Sequence, residues 1–287
     1  MRDVVRRIAA IARAADGAFA IPAIGQTLWG ALAIANVKLS PAAPWAALAM
    51  PIILAALVAF LAGGIGPRKS AAARRALVPM ATVTTRAWMW SLAAGGAAVV
   101  AAAALWTVLA SLMRVPPNVL PDTHGVPALT VVALLLVSIV AAPLTEEIAF
   151  RGYAMGLLRH QFSPIAALVI TSLLFAAAHL TQGLSAPKLT VYALAGLAFG
   201  LVALRTGSLA PAMVVHCFAD LTFFTLVWSH DAGRRLVGEG GADGWFFANV
   251  AILVVMTPLS LLAFRELTRA TSAAPAAESP PPFAITA

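Results

Sequence analysis

The stretch VPALTVVALLLVSIVAAPLTEEIAFR, residues 126–151, decides the architecture. Its first part, 126–142, is apolar over close to the ~20 residues that a helix needs to cross a hydrocarbon core. Three ionisable side chains follow: Glu146, Glu147 and Arg151. Such groups are costly in a bilayer, so there they mark function by default. An α-helix turns by about 100° per residue, so Glu147 and Arg151, at i and i+4, share a face and can pair. Glu146 points well away from Arg151. One carboxylate is thereby occupied structurally, and one is left for chemistry.

The rest of the chain has the same character. Of 287 residues 61% are hydrophobic and 10% charged, with a mean hydropathy of +0.92. Soluble domains carry about 25% charged residues. The composition predicts an all-α, polytopic membrane helical bundle of about eight transmembrane helices, near 18–37, 43–61, 88–109, 126–142, 164–180, 189–204, 209–228 and 245–264. Pro22, Gly25, Gln26 and Asn36 dilute the first of these. Ahead of it, Arg2, Arg6, Arg7 and Arg13 among Val, Ile and Ala resemble the start of a signal peptide, but no small-residue cleavage site follows, so the segment is expected to be retained. An amphipathic helix on the membrane surface is its alternative use.

The formal charge of +8 does not point to nucleic acid, because the arginines sit in short loops and form no single basic face. With the amino terminus inside, Arg68, Lys69, Arg74, Arg75 and Arg86 fall in one cytoplasmic loop, and Arg159, Arg205, Arg265 and Arg269 at later inner ends. An even number of spans then satisfies the positive-inside rule with both termini cytoplasmic. The Ala- and Arg-rich composition points to a bacterial inner membrane. Three regions are expected: 1–125 with about three spans, 126–230 as the catalytic core, and 231–287 with the last span and a Pro-, Ala- and Ser-rich tail that cannot bury a core and is expected to be disordered. No internal repeat relates the halves, which disfavours a repeat-built transporter. The lone Cys217 excludes an internal disulfide and a multi-cysteine metal site, and reads as a small apolar packing residue.

Beyond residue 126 the polar groups concentrate. After Glu146, Glu147 and Arg151 come His179 in FAAAH (175–179), then His216 and Asp220 in HCFAD (216–220). Phe175 and His179 are four apart, as are His216 and Asp220, so each pair lies on one helix face. If 159–164 is a hairpin, Glu146 and His179 lie equally far from its tip, roughly 25 Å, and at similar depth. A second turn at 205–208 brings His216 and Asp220 back toward the interior. A lone histidine on an apolar helix is more often a satisfied core residue. Together these groups exceed what packing requires, since Ser or Thr can make interhelical hydrogen bonds at lower cost. Arg114, His124, His160 and His230 lie near loop ends, where solvent accounts for them. Other intramembrane protease signatures are missing: there is no HExxH, Asp220 is the only aspartate well inside a span, and GLSA (183–186) lacks the second glycine of GxSG.

EExxxR (Glu146, Glu147, Arg151), FxxxH (Phe175, His179) and HxxxN/D (His216, Asp220), in that order on consecutive apolar helices, resemble the CPBP family of intramembrane proteases. That family includes the type II CAAX prenyl endopeptidases and bacterial relatives linked to bacteriocin self-immunity. The resemblance covers about 126–228; the first three spans carry no motif. It implies a helical endopeptidase in which Glu146 and His179 activate a water, while His216 with Asp220 stabilises the oxyanion. Many members carry Asn at the last position, which can donate a hydrogen bond that an ionised Asp220 cannot. Asp220 is then protonated, orients His216 or binds a metal.

The residues fit such chemistry, because amide hydrolysis needs a base, a nucleophilic water and donors for the oxyanion. Glu146 is the candidate base, His179 carries the proton to the leaving amine, and Glu147 with Arg151 holds the helix. No cofactor is needed on this route. The alternative places Zn²⁺ on His179, His216 and a carboxylate, Glu146 or Asp220. The expected partners are a membrane-associated peptide or protein substrate and the lipid bilayer. A proton-coupled transporter using the same groups as a relay, or a silent membrane scaffold, are the readings from other classes.

Overall fold

The computed structural model describes residues 2–116, 122–228 and 234–272; the expectations for His230 and for the tail beyond 272 lie outside these. In chain order the helices are α1 (Arg2–Leu39), α2 (Trp45–Leu61), α3 (Ala71–Ala76), α4 (Thr85–Leu112), α5 (Ala128–Glu147), α6 (Met155–Leu158), α7 (Pro164–Ala178), α8 (Ala186–Thr206), α9 (Leu209–Thr222), α10 (Val237–Gly240) and α11 (Gly244–Ser272). The protein is all-α, with no strand among the described residues beyond an isolated bridge between Met80 and Ser208. Among the described residues seven helical segments are long and apolar enough to cross a membrane, including Arg2–Leu39 and the continuous Ala128–Leu158. The eighth expected span, α2, has 17 residues. At 1.5 Å per residue that is about 26 Å, a little short of a hydrocarbon core of about 30 Å.

The described residues form two compact units that interleave in sequence: 2–79 with 122–162, and 80–116 with 163–228 and 234–272. In the first unit α1 is one unbroken helix of 38 residues, with no separate surface helix ahead of a span. The physical reason is its buried face. Ala10, Ala14, Ala18 and Pro22 recur every four residues, followed by Trp29 and Asn36. A stripe of small residues at this spacing lets helices pack closely in a membrane, and α1 packs along α5 and its continuation.

The residues that dilute the first span make its tertiary contacts. Asn36 is fully buried; its Nδ2 donates to the Ser40 and Ala43 carbonyls and its Oδ1 accepts from the Ala46 amide, closing the turn into α2. Trp29 Nε1 donates to Ser138 Oγ on α5 at 2.7 Å. Around these, Trp29, Met50, Leu54 and Leu134 form the apolar core.

In the second unit Trp106 of α4, Val191 of α8, and Phe223 and Val227 beyond α9 form the core. Small residues again set the approach of helices: a Cβ on Gly95 would lie 2.5 Å from the Val215 methyls, and one on Gly196 would lie 3.0 Å from Ser172 Cα. Hydroxyls inside the apolar helices mostly bond to their own helix. Ser91, Ser111, Thr171, Ser172 and Thr222 donate to the carbonyl four residues back. Such back-bonding satisfies a hydroxyl without any partner helix, so these residues call for no functional explanation.

Candidate active site

In the first unit the TEEIAFR stretch occupies the end of α5 and the turn after it. Directly past Glu147 the helix widens into a π-helix over Ile148–Ala154 before tightening again into α6. Wide turns of this kind are rare inside α-helices and recur at functional sites. Arg151 Nη1 donates to Glu147 Oε1 at 2.8 Å, with both side chains at most 1% exposed. The pairing anticipated from the i, i+4 spacing is present even though the turn between the two residues is wider than an α-turn.

Glu146 is 6% exposed and has a partner that sequence reasoning did not supply: Gln26 Nε2 of α1 donates to its Oε1 at 2.7 Å. The carboxylate that the sequence leaves for chemistry thus has a hydrogen-bond partner on α1. Two glycines of α1 explain the contact. A Cβ on Gly25 would lie 2.7 Å from Thr145 Cγ2, and one on Gly17 would lie 2.1 Å from the Tyr153 ring. Without side chains there, the α1 backbone comes close enough for Gln26 to reach the carboxylate.

In the second unit α7 ends at Ala178 and tightens into a 3-10 turn, His179–Gln182, closed by Gly183 at φ +100°. His179 is the first residue of that turn. Its Nδ1 lies 2.8 Å from the Phe175 carbonyl, which can only accept, so Nδ1 carries the proton. In the neutral ring Nε2 is then the acceptor. The ring lies flat on Tyr192 of α8, with centroids 3.9 Å apart and an interplanar angle of 20°. Tyr192 in turn donates its hydroxyl to Gln182 Oε1 at 2.6 Å, and the buried Lys188 donates to the Gln182 carbonyl. One side chain of α8 thus touches both the first and the last residue of the turn.

His216 of α9 is 4% exposed and stacks on Phe199, with centroids 4.3 Å apart, while Phe175 meets it edge-on. Tyr192 and Phe199 are seven residues apart and share one face of α8, so this helix supplies an aromatic surface for each histidine. His216 Nε2 lies 3.8 Å from Asp220 Oδ1. That separation is too long for a hydrogen bond and leaves an electrostatic contact. Past α9, as past α5, the helix widens into a π-helix, here Phe223–Val227. Among the described residues no group of three or more His, Cys, Asp or Glu side chains is placed to hold a metal ion. Of the isolated polar residues, Arg114 pairs with Glu239 at the surface, and His124 and His160 are exposed.

Residues 127–222 match the family model described as type II CAAX prenyl endopeptidase Rce1-like. That stretch, about a third of the chain, is similar to the family. The Rce1-like domain begins at Pro127, the residue ahead of α5, and ends at Thr222, the last of α9, so it is the α5–α9 segment. Together with the apolar helices, the match supports an integral membrane protein similar to the CAAX-type peptidases. No curated protein and no solved structure matches the chain. Glu146, Glu147, Arg151, Phe175, His179, His216 and Asp220 all lie inside the Rce1-like domain, as do Tyr192 and Phe199, which motif reading passed over. Gln26 lies outside it. The available signal for Tyr192 and Phe199 was aromatic residues seven apart on an apolar helix, and for Gln26 an amide in a span with no need of one.

Proposed function

We propose that the protein is an endopeptidase that hydrolyses a peptide bond of a membrane-associated peptide or protein, using a water activated by Glu146 and His179 and no metal. What carries the reading is that the two adjacent glutamates have different partners. Glu147 is neutralised by the Arg151 guanidinium. Glu146 also lies in the field of Arg151, but its hydrogen bond from α1 comes from the neutral amide of Gln26, which orients the carboxylate and adds no charge of its own. A base must keep its negative charge to take a proton.

In this scheme Glu146 takes a proton from the water as its oxygen bonds to the scissile carbonyl carbon. The negative charge on the former carbonyl oxygen is met by an N–H of His216. His179, its Nδ1 proton held by the Phe175 carbonyl, relays through Nε2 the proton that the leaving amine needs when the C–N bond breaks. Asp220 orients His216, and the Glu147–Arg151 pair keeps the widened turn in shape. Glu146→Gln tests the scheme in the full-length protein, assayed in detergent on a membrane peptide. The substitution keeps a side chain that can bond to Gln26, so the variant is expected to accumulate and melt like the parent. Its cleavage rate should fall by at least about 10²-fold, the usual contribution of a general base. Unchanged cleavage by a well-folded Glu146→Gln variant would sink the assignment.

A further inference from the structure

We infer that α1, which lies outside the Rce1-like domain, supplies a positioning residue for the reaction. Gln26 sets the plane of the Glu146 carboxylate. The inference rests on the reading of Glu146 as the base.

The geometry is specific. Gln26 Nε2 reaches Glu146 Oε1 at 2.7 Å, the shorter end of the N–H···O range. A carboxylate on a long side chain has several rotamers, and one directional donor selects among them. The neighbourhood of α1 is shaped for this contact, because Gly25, next to Gln26, is where a Cβ would strike Thr145, next to Glu146. One turn of close contact thus brings both residue pairs into register. The donor is also of the right kind. Glu147 and Arg151 already supply both signs of charge beside Glu146, and the Arg151 charge is coupled to both glutamates. A second cation from α1 would neutralise the base, and an acid would repel it; an amide does neither. Gln26 has no other evident reason to interrupt an apolar face, since α1 closes its turn into α2 through Asn36 and not through Gln26.

The test compares Gln26→Leu, which keeps the volume and removes the donor, with Gln26→Asn, which keeps an amide but shortens its reach. Glu146→Gln is the control, and all are full-length proteins assayed on one membrane peptide. Both Gln26 variants should lose kcat by about ten-fold per folded molecule, the factor typical of one hydrogen bond to a charged group, with KM within about two-fold of the parent. Thermal melting read in parallel normalises for folding. If Gln26→Leu accumulates poorly, Gln26→Asn decides, because it leaves no apolar group against the carboxylate. A kcat equal to the parent in the folded variants, with Glu146→Gln inactive, overturns the positioning role and leaves the base assignment standing. An active Glu146→Gln removes the base assignment, and the inference with it.

Discussion

The two units hold their candidate catalytic side chains by different physics. In the first, the side chains are carboxylates, and each is fixed by a directional polar partner: Glu147 by an ion pair with Arg151, Glu146 by the Gln26 amide. In the second they are imidazoles, and each rests on an aromatic face: His179, whose Nδ1 also bonds the Phe175 carbonyl, on Tyr192, and His216 on Phe199. The difference follows from the groups. A carboxylate has acceptor sites and little apolar surface, so only donors can restrain it. An imidazole offers two flat faces, and stacking restrains its plane while leaving ring nitrogens for proton transfer. If that is correct, the carboxylate unit should respond to loss of charge and the imidazole unit to loss of shape.

The largest effect is expected at Glu147. Replacing it with Gln takes from the buried Arg151 guanidinium the carboxylate it is hydrogen-bonded to, and breaking a buried pair from one side costs about 3–5 kcal/mol. Lower abundance and a lower melting temperature should accompany the loss of cleavage. Glu146→Gln, with a neutral partner, should melt like the parent. A stable but inactive Glu147→Gln beside a destabilised Glu146→Gln would reverse the two roles and break the contrast within the first unit.

An intermediate effect is expected at Tyr192. Tyr192→Leu removes the face beneath His179, a loss of about 0.5–1.5 kcal/mol in ring contact, and frees the imidazole to rotate. Turnover on a membrane peptide should drop by about ten-fold with little change in KM. Tyr192→Phe keeps the face and gives up only the hydroxyl bond to Gln182, so most of the turnover should remain. Equal losses in both variants would show that the hydroxyl, not the stacked ring, holds the turn, and the division between polar and aromatic restraint would fail in the second unit.

Much of this was legible in the sequence for one reason: an ionisable group inside a long apolar run is rare enough to be conspicuous. The all-helical membrane architecture, the motif residues and the Glu147–Arg151 pairing all follow from apolar run length and i, i+4 geometry. What escaped is what rests on contacts between distant segments. Gln26 and Asn36 read as defects in the first span, because helical periodicity says nothing of a partner 120 residues away. Tyr192 and Phe199 drew no attention, since a ring beneath a histidine looks the same in sequence as a ring in a core. The π-helical turns after Glu147 and after Thr222 left no compositional mark at all. The length of α1 was missed because its arginines suggested a surface segment, while the four-residue alanine repeat that continues the helix was already present.

The smallest effect is expected at Asp220, and it bears on whether a metal takes part. The Asp220 carboxylate lies 3.8 Å from His216 Nε2 and its side chain is 18% exposed, so it acts on the imidazole through charge at a distance and not through a hydrogen bond. For a partly buried contact at this separation, with no hydrogen bond between these two atoms, a value of about 1 kcal/mol is taken, the upper end for solvent-exposed pairs. Asp220→Asn removes the charge but keeps the shape and adds a donor, so cleavage should stay within several-fold of the parent, about what that energy allows. If Asp220 were instead a ligand of Zn²⁺, the neutral amide would be a far poorer donor to the metal. Activity would then fall steeply, and added Zn²⁺ would restore part of it. Exhaustive chelation separates the two cases in the parent protein: Glu146 acting directly on water predicts undiminished cleavage. Loss on chelation that Zn²⁺ reverses, together with an inactive Asp220→Asn, would move the chemistry to the metal and make the stacked histidines ligands instead of a proton carrier and an oxyanion donor.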